Sequence, residues 1–208
     1  NLPPADHEPA SPNKHRLRSC GVPGPGVEVR IHDNDNNRDC EVGEVGEIWI
    51  RSPQVMLGYW KRPEDTAKSI NADGWFTSGD AGYIDADGFL FLEGRVKDMI
   101  VSGGENIYPI EIENVLSSHP AVHQCAVIGV PHETWGEAVH AVILLDDAVS
   151  EAPTERELIT YCRERIATYK CPVSVSFRSE PMPLSPINKI LKTELRKPFW
   201  EGRSSALV

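Results

Sequence analysis

Alternating apolar and polar positions divide the chain into a strand-rich first part and a second part that mixes strands with helices. Apolar residues recur at every second position over residues 27–31 and 48–50, which is the period of half-buried strands. An Asp- and Asn-rich turn over residues 33–37 separates these strands, and residues 82–92 form a second predicted hairpin. Short strands joined by glycine turns predict a small antiparallel β-barrel or sandwich, and we expect the barrel.

The second part has the patterns of an α+β domain. The predicted elements are a helix over residues 109–118, strands over residues 121–130, 138–145 and 171–177, a helix from residue 154 and a short helix after residue 189. Pro109 suits the first turn of a helix, where its missing N–H would have no partner. Thr154 and Glu157 have the spacing of a capping box. The fold class predicted for the whole chain is therefore mixed α and β.

A polar cluster lies between these two parts, at the start of a stretch over residues 94–113 that also holds a pair of glycines. The cluster comprises Gly94, Arg95, Lys97 and Asp98. Its composition is typical of a solvated connection between packed units, and we expect an irregular lead-in over residues 1–18, a β-barrel unit over residues 19–95 and an α+β unit over residues 96–208. Gly103 and Gly104 permit a positive φ or the close approach of another molecule.

Composition excludes several classes of function. The chain has 208 residues, a hydrophobic content of 40% and a formal charge of −10, so a surface that holds nucleic acid through spread lysine and arginine is not expected. Five widely spaced cysteines without a CxxC pair favour free thiols in a reducing compartment, the cytoplasm. No apolar run approaches the roughly 20 residues that span a bilayer, so we expect no transmembrane segment. The chain starts without methionine, and we expect it to be part of a longer protein.

Two segments imitate metal sites. Residues 33–44 place acidic and amide side chains at the ligand positions of an EF-hand loop, but Arg38 stands where that loop needs glycine. His132 and Glu133 begin like the zinc signature HExxH, but Gly136 stands at the position of the second histidine. We therefore predict no metal ligands in this chain.

Three polar sites are candidates for chemistry, and each has a simpler structural interpretation. Asp80 follows a glycine between strands, where it would either shape a turn or accept both hydroxyls of a ribose. Arg95 and Lys97 would be solvated linker charges, or would meet a nucleotide and act as a pivot. Lys189 would be a surface residue, or a cation directed at phosphate by the three prolines over residues 181–186.

Several segments, in this order, resemble the adenylate-forming enzymes, most closely bacterial fatty-acid CoA ligases. They are TSGD (77–80), GRVKD (94–98), SGGENIYPIEIE (102–113) and NKILK (188–192), with GYWKRPEDTA (58–67), HPAVHQCAVIGVP (119–131), WGE (135–137) and FWEG (199–202) in support. The resemblance covers nearly the whole chain. Asn188 stands where the family often has glycine, and Ser78 keeps the hydroxyl of the family's threonine.

This resemblance implies a two-step reaction. A carboxylic acid, which the resemblance implies is a fatty acid, attacks the α-phosphate of MgATP and gives an acyl-adenylate and pyrophosphate. The thiol of coenzyme A then displaces AMP and forms a thioester. By the same resemblance the residues would act as follows: Lys189 as the adenylation lysine, Asp80 and Arg95 at the ribose, Lys97 as the hinge, and Gly103 and Gly104 along the channel for the pantetheine arm of coenzyme A.

The resemblance also implies what this chain lacks. The family's phosphate loop, its magnesium-binding glutamate and its acyl pocket would all precede Asn1. We therefore expect the carboxyl-terminal end of a ligase, namely the last β-barrel part of the large domain followed by a mobile lid domain, which would be inactive alone. The alternatives are an adenylation domain that loads a carrier protein and a stand-alone, non-catalytic binding module. The end of the chain at Val208, with no carrier domain after it, favours the CoA ligase.

Overall fold

The chain folds into two compact units, each built around its own β-sheet. A computed structural model describes residues 1–7, 12–147, 149 and 151–202, and the units are Asn1–Lys97 and Asp98–Val208. Both units combine strands with helices, so the predicted mixed α and β class is confirmed. Of the helices that the structure describes, none has both the length and the apolar composition that crossing a bilayer requires.

The first unit is an antiparallel sheet of five strands. These are β1 (Glu28–Asp33), β2 (Arg38–Asp39), β3 (Gly46–Arg51), β4 (Phe76–Ile84) and β5 (Leu90–Arg95). They lie in the order β2-β1-β3-β4-β5. The buried side chains Ile31, Ile48 and Phe91 come from alternating positions of the predicted strands. Closure of this sheet into a barrel stays a prediction.

Helix α1 (Pro63–Ser69) was not expected from the apolar pattern. None of its residues is buried, so it has no apolar stripe to reveal it. Its signals are local instead, because a proline lies in its first turn and Glu64 and Asp65 bring negative charge to the positive end of the helix dipole.

The lead-in packs onto the first unit. It contains two short 3-10 helices, Pro4–His7 and Lys14–Arg18. The Arg16 guanidinium donates to Asp6 at 3.0 Å and to Asp87 at 2.7 Å, and it lies 4.3 Å from the centre of the Phe89 ring. One arginine thus ties this segment to the turn between β4 and β5.

The described residues of the second unit pack three α-helices and a 3-10 helix (Thr168–Lys170) around a long hairpin. Its elements are β6 (Ile100–Ser102), β7 (Glu105–Ile107), α2 (Pro109–Ser117), β8 (Val122–His132), β9 (Gly136–Leu145), α3 (Glu155–Arg163), β10 (Ser174–Arg178) and α4 (Lys192–Trp200). β8 runs antiparallel to β9 on one edge, while β10 pairs in parallel on the other. β6 also pairs with β9, through Ser102 and Gly136. Strands β6 and β7 were missed because three residues are too few to show a period of two.

Both faces of the β8–β9 hairpin are buried, which explains why its strands read as continuous apolar runs. On one face Val127, Val139 and Ile143 pack with α2 and α3, and on the other face Ile128 and Val142 pack with α4. The predicted capping box at the start of α3 is confirmed: the Thr154 hydroxyl accepts from the Glu157 N–H, and the Glu157 carboxylate accepts from the Thr154 N–H.

The cysteines differ in exposure, which predicts their reactivity. Cys125, Cys162 and Cys171 are buried in the second unit, whereas Cys20 is exposed. Burial raises the pKa of the Cys162 thiol to about 12, so almost none of it is the nucleophilic thiolate at neutral pH.

We expect iodoacetamide to modify Cys20 readily in the native protein and the three buried cysteines only after denaturation. Peptide mass spectrometry reads each site, and rapid native labelling of Cys162 would contradict this burial.

Candidate active site

Asp80 and Arg95 lie opposite each other on neighbouring strands of the first unit. β4 pairs with β5 so that these two residues face one another, and the Arg95 Nε is 3.1 Å from the Asp80 Oδ1. The Asp80 side chain is about one-third exposed and the Arg95 side chain about one-half. The structure therefore brings together two of the predicted residues and leaves both accessible to a ligand.

Backbone geometry next to Asp80 supports this pair. Gly79 has a φ of +71°, and a Cβ at that position would lie 3.6 Å from the Arg95 Nη2. The Gly79 N–H donates to the Glu47 Oε1 at 3.0 Å, and the Asp80 N–H donates to the Ser78 Oγ at 3.0 Å. Glu47 was missed by sequence reasoning, because a glutamate on the polar face of a strand carries no distinctive signal.

Lys97 is the last residue of the first unit. It lies in a 3-10 helix, Val96–Asp98, which directly follows β5. Its side chain is exposed and makes no hydrogen bond or ion pair with the residues that the structure describes. A short 3-10 helix at the boundary between two units is a common site for a hinge.

Gly103 and Gly104 form the tip of the β6–β7 hairpin. Their φ values are +60° and +89°, so both glycines adopt the positive φ that the sequence permits. Two successive positive φ values are what a type I′ turn requires. Ile100 and Ile107 are each 1% exposed and anchor the base of the hairpin in the core, whereas a Cβ at Gly104 would meet no atom within 4 Å.

Trp135 holds this tip from the side. The Gly103 N–H donates to the Trp135 carbonyl at 3.0 Å, and a Cβ on Gly103 would lie 3.6 Å from the indole. The indole stacks on the His132 ring with 4.3 Å between the ring centres, and nearly half of its surface is exposed. The hairpin thus presents bare backbone on one side and an aromatic ring on the other.

Lys189 lies on a braced turn between β10 and α4. The Ser185 N–H donates to the Lys189 carbonyl at 2.8 Å, and the Lys189 N–H donates to the Ser185 Oγ at 3.1 Å. Leu184 and Ile190 pair across the turn as an isolated bridge. Asn188 adopts a φ of +59°, which glycine allows freely and asparagine tolerates. Asparagine therefore serves where the family often has glycine.

The ammonium of Lys189 is exposed, whereas the next lysine along the chain is paired. Among the residues that the structure describes, the Lys189 Nζ has no hydrogen-bond or ion-pair partner. The Lys192 Nζ lies 2.7 Å from the Glu113 Oε1, which also accepts from the Val127 N–H. This segment therefore offers one unpaired ammonium on a fixed backbone, which suits an anionic ligand.

Sequence reasoning missed a buried ion pair in the second unit. Glu137 is 3% exposed, and its Oε1 lies 2.8 Å from the Nη2 of Arg196 in α4. The signal was present in the sequence, because Glu137 opens an otherwise apolar run and a glutamate in a buried strand needs partners.

The described residues do not provide a metal site. They bring together no group of three or more His, Cys, Asp or Glu side chains that could hold a metal ion.

Comparisons with known proteins show the family to which the chain belongs. Residues 3–60 match the family model described as AMP-binding enzyme, and residues 111–189 match the model described as AMP-binding enzyme C-terminal domain. The chain belongs to this adenylate-forming, AMP-binding family and corresponds to the carboxyl-terminal portion of its members.

Three relatives illustrate the similarity. The long-chain-fatty-acid–CoA ligase of Yersinia pestis is 48% identical over 88% of this chain and 32% of that protein. The fatty acid–[acyl-carrier-protein] ligase ScoC of Streptomyces coeruleorubidus is 42% identical over 96% of this chain and 37% of that protein. The o-succinylbenzoate CoA synthetase MenE of Bacillus subtilis, solved with its acyl-adenylate intermediate OSB-AMP, has a TM-score of 0.80 and 38% identity, covering 88% of this chain and 36% of that one. The chain thus spans about a third of the length of these relatives.

The conformation of Asn188 generates a prediction about the lysine turn. Asn188→Gly should leave the turn intact, because glycine adopts a positive φ without a steric penalty. Asn188→Val should strain it by about 1–2 kcal/mol, since a β-branched residue is disfavoured there. Hydrogen exchange of the Ser185 and Lys189 amides measures this, with Asn37→Val as a control because Asn37 has a φ of 49° in the other unit. Unchanged protection in Asn188→Val would contradict the account.

Proposed function

We propose that this chain is the carboxyl-terminal part of an ATP-dependent acyl-CoA synthetase. The complete enzyme would adenylate a carboxylic acid, a fatty acid being the best candidate, and transfer the acyl group to coenzyme A. The observation that carries the proposal is the unpaired Lys189 ammonium on its braced turn, in a chain that belongs to the AMP-binding family. The fatty-acid ligase of Yersinia pestis supports the choice of substrate.

Lys189 acts in the first step. When the carboxylate attacks the α-phosphate of ATP, negative charge builds up between the incoming acid and the leaving pyrophosphate. A positioned ammonium stabilises this charge more in the transition state than in the bound substrates, and it thereby lowers the barrier. The bracing through Ser185 and the Leu184–Ile190 bridge fixes the backbone from which the side chain reaches.

Asp80 and Arg95 bind the nucleotide in this proposal. A carboxylate can accept hydrogen bonds from both hydroxyls of a ribose, one on each oxygen. The Arg95 Nε lies 3.1 Å from the Asp80 Oδ1 and holds the carboxylate in place, and each oxygen keeps a lone pair for one ribose hydroxyl. The guanidinium has further N–H donors for the nucleotide.

Coenzyme A is the proposed acceptor of the acyl group in the second step. The Gly103–Gly104 tip offers a wall without side chains along which a narrow pantetheine arm can pass, and Lys97 is the hinge between the two steps. ATP and coenzyme A are thus substrates of the complete enzyme, and magnesium would accompany ATP on residues outside this chain. Five free cysteines suit a cytoplasmic location.

A carrier-protein acceptor is the second candidate. The ScoC ligase, which is named for an acyl-carrier-protein acceptor, aligns with 96% of this chain. Both acceptors present the same pantetheine thiol, so the hairpin alone does not separate them. Supplying the synthetic acyl-adenylate with either free coenzyme A or a pantetheine-loaded carrier protein distinguishes the two, and we expect faster thioester formation with free coenzyme A.

Lys189→Ala in the complete enzyme should greatly lower the rate of the first step, adenylate formation. Losing one preorganised electrostatic contact typically costs about 10²–10³ in rate. Pyrophosphate release from ATP and the acid should fall by that factor, whereas thioester formation from supplied acyl-adenylate should be nearly normal. Lys197→Ala removes an exposed lysine from the neighbouring α4 and serves as the control for charge. Intact pyrophosphate release, or equal loss of both steps, would refute the assigned role.

Lys97→Pro should separate the two steps in the opposite sense. Proline fixes φ near −65°, so it restricts rotation at the boundary between the units. We expect pyrophosphate release to survive better than thioester formation from supplied adenylate. Lys97→Ala removes the same ammonium but leaves φ free, so a comparison of the two variants isolates the backbone effect. Equal losses of both steps in Lys97→Pro would show that Lys97 is not the pivot.

A further inference from the structure

The buried carboxylate of Glu137 joins two separate parts of the second unit. Its Oε1 accepts from the Arg196 Nη2 at 2.8 Å, and its Oε2 accepts from the Val101 N–H at 3.2 Å. The side chain is only 4% exposed, so water does not replace either partner easily. One side chain therefore links strand β6 to helix α4.

On one side, this link reaches the glycine hairpin. Val101 is the middle residue of β6 and lies two residues before Gly103. Among the described strand pairs β6 meets β9 at Ser102 and Gly136, and the Gly103 N–H donates to the Trp135 carbonyl, so Glu137 adds a further polar attachment at this end of the hairpin. The Glu137 carboxylate therefore helps to hold β6, the strand that leads into the hairpin tip.

On the other side, the link reaches the lysine segment. Arg196 lies in α4, which begins three residues after Lys189. The Arg196 guanidinium lies 5.4 Å from the centre of the Trp200 ring, and the Trp200 Nε1 donates to the Gly129 carbonyl at 3.1 Å. A shift of Glu137 would therefore be transmitted to the helix that follows the Lys189 turn.

Stability alone is a weak reason for this arrangement. Well-packed apolar residues often stabilise a core as well as a buried ion pair does, whereas removal of one partner leaves a costly buried charge. What an apolar residue cannot provide is a simultaneous acceptor for a strand N–H and a guanidinium. The geometry is specific for coupling two elements.

We infer that Glu137 is a positioning residue that couples the coenzyme A hairpin to the adenylation-lysine segment. The effect of Glu137 on the reaction rests on the proposed function, whereas its hydrogen bonds to β6 and α4 do not. Glu137 touches neither substrate in this account. It acts by keeping β6 and α4 in one relative position, so that both steps use the same alignment of the second unit.

Glu113 provides a matched control. Its Oε1 also accepts from a backbone N–H, that of Val127 in β8, and from a cation of α4, that of Lys192. It therefore ties α4 to the sheet without touching β6. Glu113→Gln weakens the attachment of the lysine segment only, whereas Glu137→Gln weakens the hairpin attachment as well, because an amide has a single acceptor oxygen for two donors.

Gly129 allows the carboxylate to be moved without changing its charge. A Cβ at Gly129 would lie 2.6 Å from the Glu137 Oε2, so Gly129→Ala must displace that oxygen. This variant keeps both members of the ion pair. It therefore tests position separately from charge, should Glu137→Gln fold poorly.

Hydrogen–deuterium exchange of the complete enzyme tests the link without any activity. Glu137→Gln and Gly129→Ala should raise exchange at residues 101–107 at least about tenfold over the parent, and Glu113→Gln should not. The exchange is measured at a temperature at which circular dichroism shows that every variant is folded. Parental protection of residues 101–107 in both Glu137→Gln and Gly129→Ala would overturn the inference.

The KM for coenzyme A tests the consequence in the proposed reaction, because a smaller folded fraction does not change a KM. Misplacing a binding element by about 1 Å can cost up to 10²-fold, so we expect this KM to rise about tenfold in Glu137→Gln and to stay near the parental value in Glu113→Gln. Equal KM values in the two variants would overturn the coupling. If instead the parent forms no adenylate, the proposed function fails, while the exchange experiment still decides on the link.

Discussion

Burial of strand β9 on both edges and both faces is the constraint on which the second unit depends. β8 and β10 occupy its edges, α2 and α3 cover one face, and α4 covers the other. Each buried Val, Ile or Leu side chain contributes about 1.5–3 kcal/mol, so this strand fixes the frame from which the candidate residues project. The hairpin with Gly103 attaches to this frame through the buried Ile100 and Ile107, and Ile190 packs next to the Lys189 turn; a few polar contacts add to both attachments.

The polar groups of this unit are of two kinds. Some are buried and hydrogen-bonded within the unit, and others are exposed and can bind a ligand. His140 is buried between Ser174 and Ser176, with its ring nitrogens 2.7 Å and 2.9 Å from the two hydroxyls. Burial lowers the pKa of His140, which favours the neutral ring and a structural role. Lys189 shows the opposite pattern, because its ammonium is exposed on a backbone that is fixed.

The sequence predicted elements whose pattern was long enough to be periodic. The strands of the β8–β9 hairpin, the capping box at Thr154 and the positive φ of Gly103 all follow from local rules. Helix α1 and strands β6 and β7 were missed because they are short or have no buried stripe. The Glu137–Arg196 pair was missed because 59 residues separate its members, and only the tertiary fold brings them together.

If the complete enzyme activates its acid as an acyl-adenylate, as we propose, one oxygen of the carboxylate must pass to AMP. A carboxylic acid labelled with ¹⁸O in both oxygens would react with ATP and coenzyme A, and mass spectrometry would follow the label. Attack on the α-phosphate followed by displacement at the carbonyl carbon transfers one labelled oxygen to AMP and leaves the other in the thioester. The account predicts AMP that carries one ¹⁸O, whereas unlabelled AMP with ¹⁸O in inorganic phosphate would contradict it.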